Sequence, residues 1–211
     1  GCTDLLFTEY NPLANTNDGS CATLIVNGCT DPAISNYDST ATNDNATCAY
    51  AIGDLSQGGI IFYIFQPGDM GYVAGQVHGL IASTSGQSWG DWGCWLTDLP
   101  GTNGTAIGTG SQNTINIEAG CTYSNTTAAH FSANYTDGTY SDWFLPSKDE
   151  LNEMFVNLHE QGLGSFADGY YWSSTQSNHA YAWLQDFGYG TTLQLDIYKN
   201  HATNVRAVRA F

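Results

Sequence analysis

The chain has very few basic residues. Only four of its 211 residues are Lys or Arg, against 20 Asp and Glu, so its formal net charge at pH 7 is −16. Nucleic acids, anionic membranes and anionic polysaccharides are bound through basic patches, so this composition argues against all three as partners. The acidic excess instead favours a cation, and calcium is the cation that prefers carboxylate and amide oxygens.

Other features are absent as well. No run of about 18 apolar residues occurs, which excludes a membrane-spanning helix. No Cys-x-x-Cys motif occurs and the five His share no metal-ligand spacing. A Gly-x-Ser-x-Gly motif at 86–90 lies in a polar stretch with no helix pattern after it, whereas a catalytic elbow needs a strand, a turn and a helix. We therefore expect a protein that is not an enzyme.

The sequence is rich in Gly, Ser, Thr, Asn, Tyr and Trp, and it contains six cysteines. This composition suits β-rich, loop-rich modules, and paired cysteines persist in oxidising compartments. We therefore expect a secreted or cell-surface location.

The N-terminal region contains a duplication. Residues 1–22 align with 28–49 at an offset of 27, with eight identities where roughly one or two are expected by chance. The alignment predicts one acidic unit at 1–27 and a second at 28–50. The identical pairs are Gly1/Gly28, Cys2/Cys29, Thr3/Thr30, Asp4/Asp31, Tyr10/Tyr37, Ala14/Ala41, Cys21/Cys48 and Ala22/Ala49.

Each unit carries two cysteines at the same spacing. The simplest pairing is Cys2–Cys21 and Cys29–Cys48, although four cysteines allow three connectivities and crossed pairing stays open. Closing a loop of this size contributes on the order of 3 kcal/mol. A unit of about 25 residues has little core, so it needs such a covalent link.

Each unit also carries side-chain oxygens at repeated places, and we predict that they bind calcium, which takes six to eight oxygen ligands. The alternative is that Asp and Asn serve here as turn residues. The candidate ligands are Asp4, Glu9, Asn11, Asn17 and Asp18 in the first unit, and Asp31, Asn36, Asp38 and Asp44 in the second.

The second unit resembles the short extracellular repeats related to thrombospondin type 3 repeats. The resemblance lies in GCTD at 28–31, NYD at 36–38, AT at 41–42 and Cys48. It implies calcium held between disulfides, and a spacer beside a larger module.

Residues 51–211 form one larger domain, in which the clearest local signal is a helix. Ser147 is an N-cap residue and Glu150 follows three positions later, which is a capping box. An apolar stripe then occupies one helical face, and Gly162 ends the helix. The stripe residues are Leu151, Met154, Phe155 and Leu158.

Weaker helices are predicted near 113–119 and 126–134. Strands are predicted at 58–65, 78–83, 170–174, 180–187, 191–198 and 204–211. The last strand alternates, so we expect its apolar side to face the core while Arg206 and Arg209 project from the other side. Cys94 and Cys121 are expected to form a third disulfide.

This domain resembles the C-terminal domain family of bacterial collagen-like adhesins. The matching segments are GGIIF at 58–62, IGTG at 107–110, DWFLPSKDELN at 142–152, YWSST at 171–175 and VRAVR at 205–209. The resemblance implies an α+β, C-type-lectin-like fold with a small mixed sheet, about two helices and long loops. The adhesin relatives bind sulfated polysaccharides through basic residues, and this chain lacks a basic surface, so that ligand is not carried over.

Two further sets of residues are candidates for contacts. Trp89, Trp92 and Trp95 lie in Gly-rich loops, where aromatic side chains stack on sugars or anchor protein contacts, although core packing is the alternative. Four Asn-x-Ser/Thr sequons offer glycosylation sites. They begin at Asn45, Asn103, Asn125 and Asn134.

Two functions follow from these features. In the first, the protein is a self-assembling subunit of an extracellular fibre or surface appendage, stabilised by disulfides and calcium, with the repeats as a docking arm. In the second, it is an adhesin or receptor-binding module that recognises a glycan or a protein through its lectin-like loops. We favour the first because an acidic N-terminal spacer that is ordered needs a partner to hold it, and calcium between subunits would neutralise the charge that otherwise opposes self-association.

Overall fold

The structure is a computed structural model that describes residues 1–30, 32, 34, 36–45, 47–86, 88–122, 125–188 and 193–211. It divides into two compact units, Gly1–Asp54 and Leu55–Phe211. We call them the arm and the large domain. The described residues of the large domain combine mixed β-sheet with three α-helices, so its class is α+β. None of the described helices is long and apolar enough to cross a membrane.

The arm has little regular structure, and its two repeats fold alike. Among its described residues, a small sheet pairs β1 (Asn27–Gly28) with β2 (Asn43–Asp44) in parallel. Cys2 bridges to Tyr10 in the first repeat, and Cys29 bridges to Tyr37 in the same way in the second. The disulfides close within the repeats, joining Cys2 to Cys21 and Cys29 to Cys48. The simplest predicted pairing is therefore the one that forms.

The large domain begins with a four-stranded sheet. β3 (Leu55–Ser56), β4 (Gly59–Ile64) and β5 (Gly79–Ser83) form an antiparallel meander, and β11 (Val208–Ala210) pairs with β5. The predicted strand pair 58–65 and 78–83 is confirmed by the pairing of β4 with β5. Because the first and last strands share this sheet, the two ends of the domain meet.

The second sheet has five strands, with β6 and β9 at its edges, in the order β6-β10-β7-β8-β9. β10 runs parallel to β7, and the other neighbours are antiparallel. The strands are β6 (Ser88–Gly90), β7 (Tyr170–Gln176), β8 (Tyr181–Asp186), β9 (Gln194–Tyr198) and β10 (Thr203–Val205). Residues 191 and 192, at the start of one predicted strand, lie outside the described residues.

Three helices pack on these sheets: α1 (Gly110–Gly120), α2 (Ala128–Ala133) and α3 (Lys148–Met154). α3 continues into a π-helical turn, Phe155–His159. The predicted capping box is present, and the four stripe residues of this helix are all buried. Gly162 follows the last turn at φ +71°, a conformation that favours glycine.

The prediction of a single alternating strand at 204–211 is wrong. The chain leaves β10 and enters β11 of the other sheet, so Val205 and Val208 pack in different hydrophobic clusters. Both arginines are buried rather than projecting into solvent. Arg209 pairs with the carboxylate of Asp142 at 2.7 and 3.0 Å, which offsets its loss of hydration.

Candidate binding cavity

An exposed tryptophan marks a cavity on the five-stranded sheet. Trp89 on edge strand β6 is 68% exposed, and Tyr170 at the start of β7 is 41% exposed. They line a cavity of about 480 Å³, which we call the Trp89 cavity. Its principal lining residues are Trp89, Tyr170, Leu195 and Ile197 on the apolar side and Asp168, His201 and Asn204 on the polar side.

Strand pairing brings these residues together from distant parts of the chain. Asn204 on β10 lies opposite Trp89 on one side and Tyr171 on the other. Its side-chain amide donates to the Tyr170 carbonyl at 3.1 Å, which holds it beside the cavity. The cavity is therefore built largely on strands, which position side chains more rigidly than loops do.

A second cavity of about 230 Å³ shares Trp89 and Asn204 with the first. Arg206 lines it but is almost fully buried. Its guanidinium donates to the carbonyls of Ser83 and Gly164 at 2.8 and 2.9 Å, and burial lowers its pKa. Arg206 therefore links the backbone at Ser83 to the backbone at Gly164 beneath the surface. Its Nε, which has no hydrogen-bond partner among the described residues, is likewise buried.

The other basic side chains are also engaged. Lys199 and Arg209 are buried like Arg206, and the Lys148 ammonium lies 3.5 Å from the centre of the Trp183 ring. Burial lowers the pKa of Lys199 to about 8. The cavity lining includes the carboxylate of Asp168 and no Lys or Arg, so the region offers hydrogen-bond acceptors and aromatic faces rather than positive charge.

The structure separates the three tryptophans that were predicted to contact a ligand. Trp92 has no exposed surface, and its indole N–H donates to the Ser173 carbonyl at 2.9 Å, so its prediction as a contact residue is wrong. It packs there because a buried indole needs an acceptor and finds one on β7. Trp95 is 46% exposed but lines neither cavity. Of the three, Trp89 is the one that lines the two cavities described above.

Sequence reasoning missed Tyr170, His201 and Asn204. Tyr170 begins a predicted strand, and His201 is one of the five histidines that share no metal-ligand spacing. No local pattern marks them, because they become neighbours only through the order of β6, β10 and β7 in the sheet.

In the arm, the predicted calcium ligands make turn-capping hydrogen bonds. Asn11 Oδ1 accepts the Leu13 N–H at 2.9 Å, and at the matching place Asp38 Oδ1 accepts the Thr40 N–H at 2.8 Å. The two Thr40 donors, N–H and hydroxyl, lower the pKa of Asp38. The same use of the side-chain oxygen recurs at Asp4, Asn17, Asp18 and Asn45.

A hydrogen bond between residues farther apart in the sequence recurs at Glu9 and Asn36, which are equivalent positions in the two repeats. Glu9 accepts the N–H groups of Ala22 and Thr23, and hydrogen bonds from Thr23 lower its pKa to about 2. Asn36 accepts the N–H of Ala49, the counterpart of Ala22, at 2.8 Å. These side chains fasten the end of each repeat beside its disulfide.

These bonds bear on the calcium prediction. Among the described residues, no three His, Cys, Asp or Glu side chains converge as a metal site. Asp31, a predicted ligand of the second repeat, lies outside the described residues, and calcium binding stays a prediction.

The remaining predicted residues fall as follows. Cys94 and Cys121 form the third disulfide, within the second hydrophobic cluster. The asparagines of the four sequons are exposed, and glycosylation stays a prediction. Ser88 of the Gly-x-Ser-x-Gly motif lies in edge strand β6 opposite Val205, while Gln87 is outside the described residues.

Comparison with known proteins gives a family match and a weak structural likeness. No curated protein matches the chain. A fimbrial protein from Bacteroides ovatus ATCC 8483, with a crystal structure at 1.85 Å resolution, is similar at 16% identity and a TM-score of 0.48, over 71% of this chain and 43% of that one. The chain thus spans less than half of that protein, and likeness at this level does not establish a shared function.

The family match is more extensive. The family model described as the Lcl C-terminal domain matches residues 94–209, which is more than half of the chain. The matched region contains α1, α2 and α3, and it contains the lining residues of the Trp89 cavity except Trp89 itself, which lies on β6. The chain belongs to the Lcl C-terminal domain family, as its resemblance to the C-terminal domains of collagen-like adhesins predicted.

Proposed function

We propose that this protein is a non-enzymatic, adhesin-type protein of the cell surface or extracellular space, and that its large domain binds a partner at the Trp89 cavity. One observation carries the proposal: a tryptophan that is 68% exposed stands at the junction of two cavities. Exposed aromatic anchors at concave sites are typical of binding surfaces. Membership of an adhesin domain family and three disulfides support the location.

We further propose a C-type-lectin-like fold for the large domain. The resemblance implies a small mixed sheet, few helices and long loops, and the observed elements agree with that description. Residues 91–109 and 134–147, between the helices and strands, have no helix or strand apart from isolated bridges. Such a fold does not by itself specify a ligand, so the binding argument rests on the cavity.

Cell binding tests this proposal. Fluorescently labelled protein with its disulfides intact is applied to bacterial and eukaryotic cells, and the W89A variant is compared with W95A. We expect W89A to lose most of the binding and W95A to retain it, because both tryptophans are exposed but only Trp89 lines the cavity. Equal binding by both variants would show that the cavity is not the contact site.

A second candidate function is assembly into a fibre, and one observation favours it. The arm exposes the leucines Leu5, Leu6 and Leu24 by 50–70%. Two of them lie on adjacent segments, because the Ile25 N–H donates to the Leu6 carbonyl at 2.7 Å. Neighbouring exposed apolar residues are frequent at protein contacts. We propose that this surface docks on another subunit, with calcium screening the acidic charge.

Electron microscopy and analytical ultracentrifugation of the wild type and the L6D variant test assembly. We expect polymers of the wild type in calcium and monomers of L6D. The matched control is L13D, which adds the same charge at a leucine outside the paired segments. A wild-type protein that stays monomeric in calcium contradicts the fibre function and leaves the binding function standing.

A further inference from the structure

We propose that the Trp89 cavity binds an uncharged pyranose ring of a glycan, stacked on the face of Trp89. This inference rests on the proposed function, since it names the ligand class for the same cavity. It is carried by three features of the site: an exposed aromatic face, hydrogen-bonding groups beside it, and a lining without Lys or Arg.

The aromatic face is the first feature. The indole ring of Trp89 is large and mostly exposed, and Tyr170 adds a second exposed ring at the same cavity. The face of an aromatic ring carries partial negative charge. The C–H bonds on one face of a pyranose carry partial positive charge, so the two faces attract while both shed water.

The polar groups are the second feature. The Asp168 carboxylate accepts hydrogen bonds only, whereas the Asn204 amide both accepts and donates. The hydroxyl groups at the edge of a pyranose donate and accept in turn. A ring lying on Trp89 therefore presents its edge to groups that match it, as small-molecule sites generally combine apolar walls with a few polar groups.

Charge is the third feature and decides the ligand class. The chain has four Lys and Arg, of which three are buried and the fourth lies on the Trp183 ring. Arg206, which lines the adjoining cavity, is 1% exposed and its guanidinium already donates to backbone carbonyls. An anionic sugar would meet Asp168 and a net charge of −16, with no Lys or Arg in the lining of the cavity to offset them.

The cavity size agrees with a small ligand. Its volume of about 480 Å³ lies inside the range of roughly 300–1,000 Å³ that is usual for small-molecule sites. Trp89 and Asn204 also line the second cavity, which leaves room for the next residue of a glycan chain.

Calorimetric titration of the full chain with defined hexasaccharides tests the ligand class. The uncharged probes are those of cellulose, laminarin, chitin and mannan, the anionic probes are those of hyaluronan and heparin, and a trilysine peptide is the cationic probe. We expect binding of at least one uncharged probe, with an affinity that changes less than about twofold between 50 and 500 mM NaCl, because no ion pair is formed.

The variants locate the binding. W89A is expected to lower the affinity for the uncharged probe by at least about tenfold, as for tryptophans that anchor a contact. W95A is expected to leave the affinity within about twofold of the wild type, as for residues outside such anchors. Y170A provides a second variant of the cavity should W89A not fold, and thermal melting checks each variant.

The outcomes separate the two proposals. Binding of only the anionic or only the cationic probes, still lost in W89A, overturns the ligand class and keeps the cavity as the binding site. Absence of binding to all four uncharged probes also overturns the ligand class. Binding of an uncharged probe that is equal in wild type, W89A and Y170A overturns both the ligand assignment and the proposed function of the cavity.

Discussion

The arm and the large domain are folded by different means. Among the described arm residues, the buried hydrophobic ones are Cys2, Cys29 and Ile34, and two of these are in disulfides. The large domain buries two extensive clusters, centred on residues such as Phe155 and Trp172. A short unit has too much surface for its volume to gain much from burial. Covalent links and turn caps therefore do in the arm what packing does in the large domain.

The comparison also separates two uses of acidic residues. Arm carboxylates are exposed or half-buried and accept hydrogen bonds from nearby N–H groups. In the large domain, Glu150 is fully buried and accepts the N–H groups of Ser147 and Gly108 at 2.7 and 2.8 Å. Burial raises its pKa to about 7, whereas hydrogen bonds lower those of Glu9 and Asp38. Solvent access decides the direction of the shift.

Removing the arm disulfides gives the largest expected effect. We expect a variant with all four arm cysteines replaced by Ser to lose the structure of residues 1–54, because each link contributes about 3 kcal/mol to a unit without a core. Hydrogen exchange with mass spectrometry measures this as loss of amide protection in the arm. Protection of residues 55–211 should be unchanged.

The matched control replaces the third disulfide, C94S with C121S. The large domain should then lose stability yet remain folded, because the second cluster surrounds that link. An arm that kept its amide protection without disulfides would contradict the conclusion that the arm, unlike the large domain, depends on covalent links to fold.

The tryptophan variants compare core and surface within the large domain. We expect W92A to lower the free energy of unfolding by about 3–5 kcal/mol, because it empties a fully buried site. W89A should change it by less than about 0.5 kcal/mol, as an exposed substitution. Urea denaturation followed by tryptophan fluorescence measures both, and the arm contains no Trp, so the signal belongs to the large domain. Similar losses in both variants would contradict the placement of Trp89.

The pH dependence of stability tests the buried carboxyl of Glu150. Its folded pKa of about 7 lies above its ordinary value of 4.5, so the folded state holds this proton more tightly. Its contribution is fully present below pH about 4.5 and is lost as pH rises through 7, amounting to roughly 3 kcal/mol. The stability profile of E150Q should lack this loss, because Gln does not titrate. The loss should therefore appear as the difference between the wild-type and E150Q profiles, measured by urea denaturation from pH 4 to 8.

E150Q is itself expected to be less stable than the wild type at low pH. The amide NH₂ of Gln cannot accept one of the N–H groups that Glu150 now accepts, which leaves a buried donor unsatisfied. Parallel pH profiles of wild type and E150Q would show that Glu150 titrates normally despite its burial.

The smallest expected effect is that of the arm turn caps. D38A should slightly lower the arm's melting temperature, because the Thr40 N–H and hydroxyl lose their acceptor. The loss should appear above the ordinary pKa of Asp38 and fade as pH falls below it, since the folded pKa is lowered. Calorimetry with S39A as the neighbouring control measures it.

The same variant tests calcium. We expect D38A to lower the melting temperature more in calcium than in EDTA, because Asp38 is a predicted calcium ligand; an equal effect in both would show that Asp38 serves only as the acceptor for Thr40. A wild-type melting temperature that falls in EDTA while that of D38A does not would make Asp38 a calcium ligand and support the sequence prediction.

Local chemistry accounts for the features that were predicted correctly. The Ser147 capping box, the buried stripe through Leu158 and the stop at Gly162 each depend on residues within one helix. The duplication was equally predictable from the sequence, and the structure explains why some of its matched positions carry identical residues. Gly1 and Gly28 pack closely against the side chains of Ala14 and Ala41, so both positions need small residues.

Features that depend on distant parts of the chain were not predictable in this way. The segment 204–211 alternates like one strand, yet it crosses from one sheet to the other between Val205 and Val208. Trp89 and Trp92 lie three residues apart in one Gly-rich stretch, yet one is exposed and the other fully buried. Which side a residue faces depends on the strand that pairs beside it.

The sequence alone determined the duplication, the family, the disulfide pairing in its simplest form and the capped helix, because each rests on spacing within a short segment or on identity at matched positions. Only the tertiary structure decided that both arginines of 205–209 are buried, and that Trp89, Tyr170 and Asn204 meet at one cavity. The reason is physical: hydrogen-bond partners and solvent exposure are set by the pairing of strands far apart in the chain.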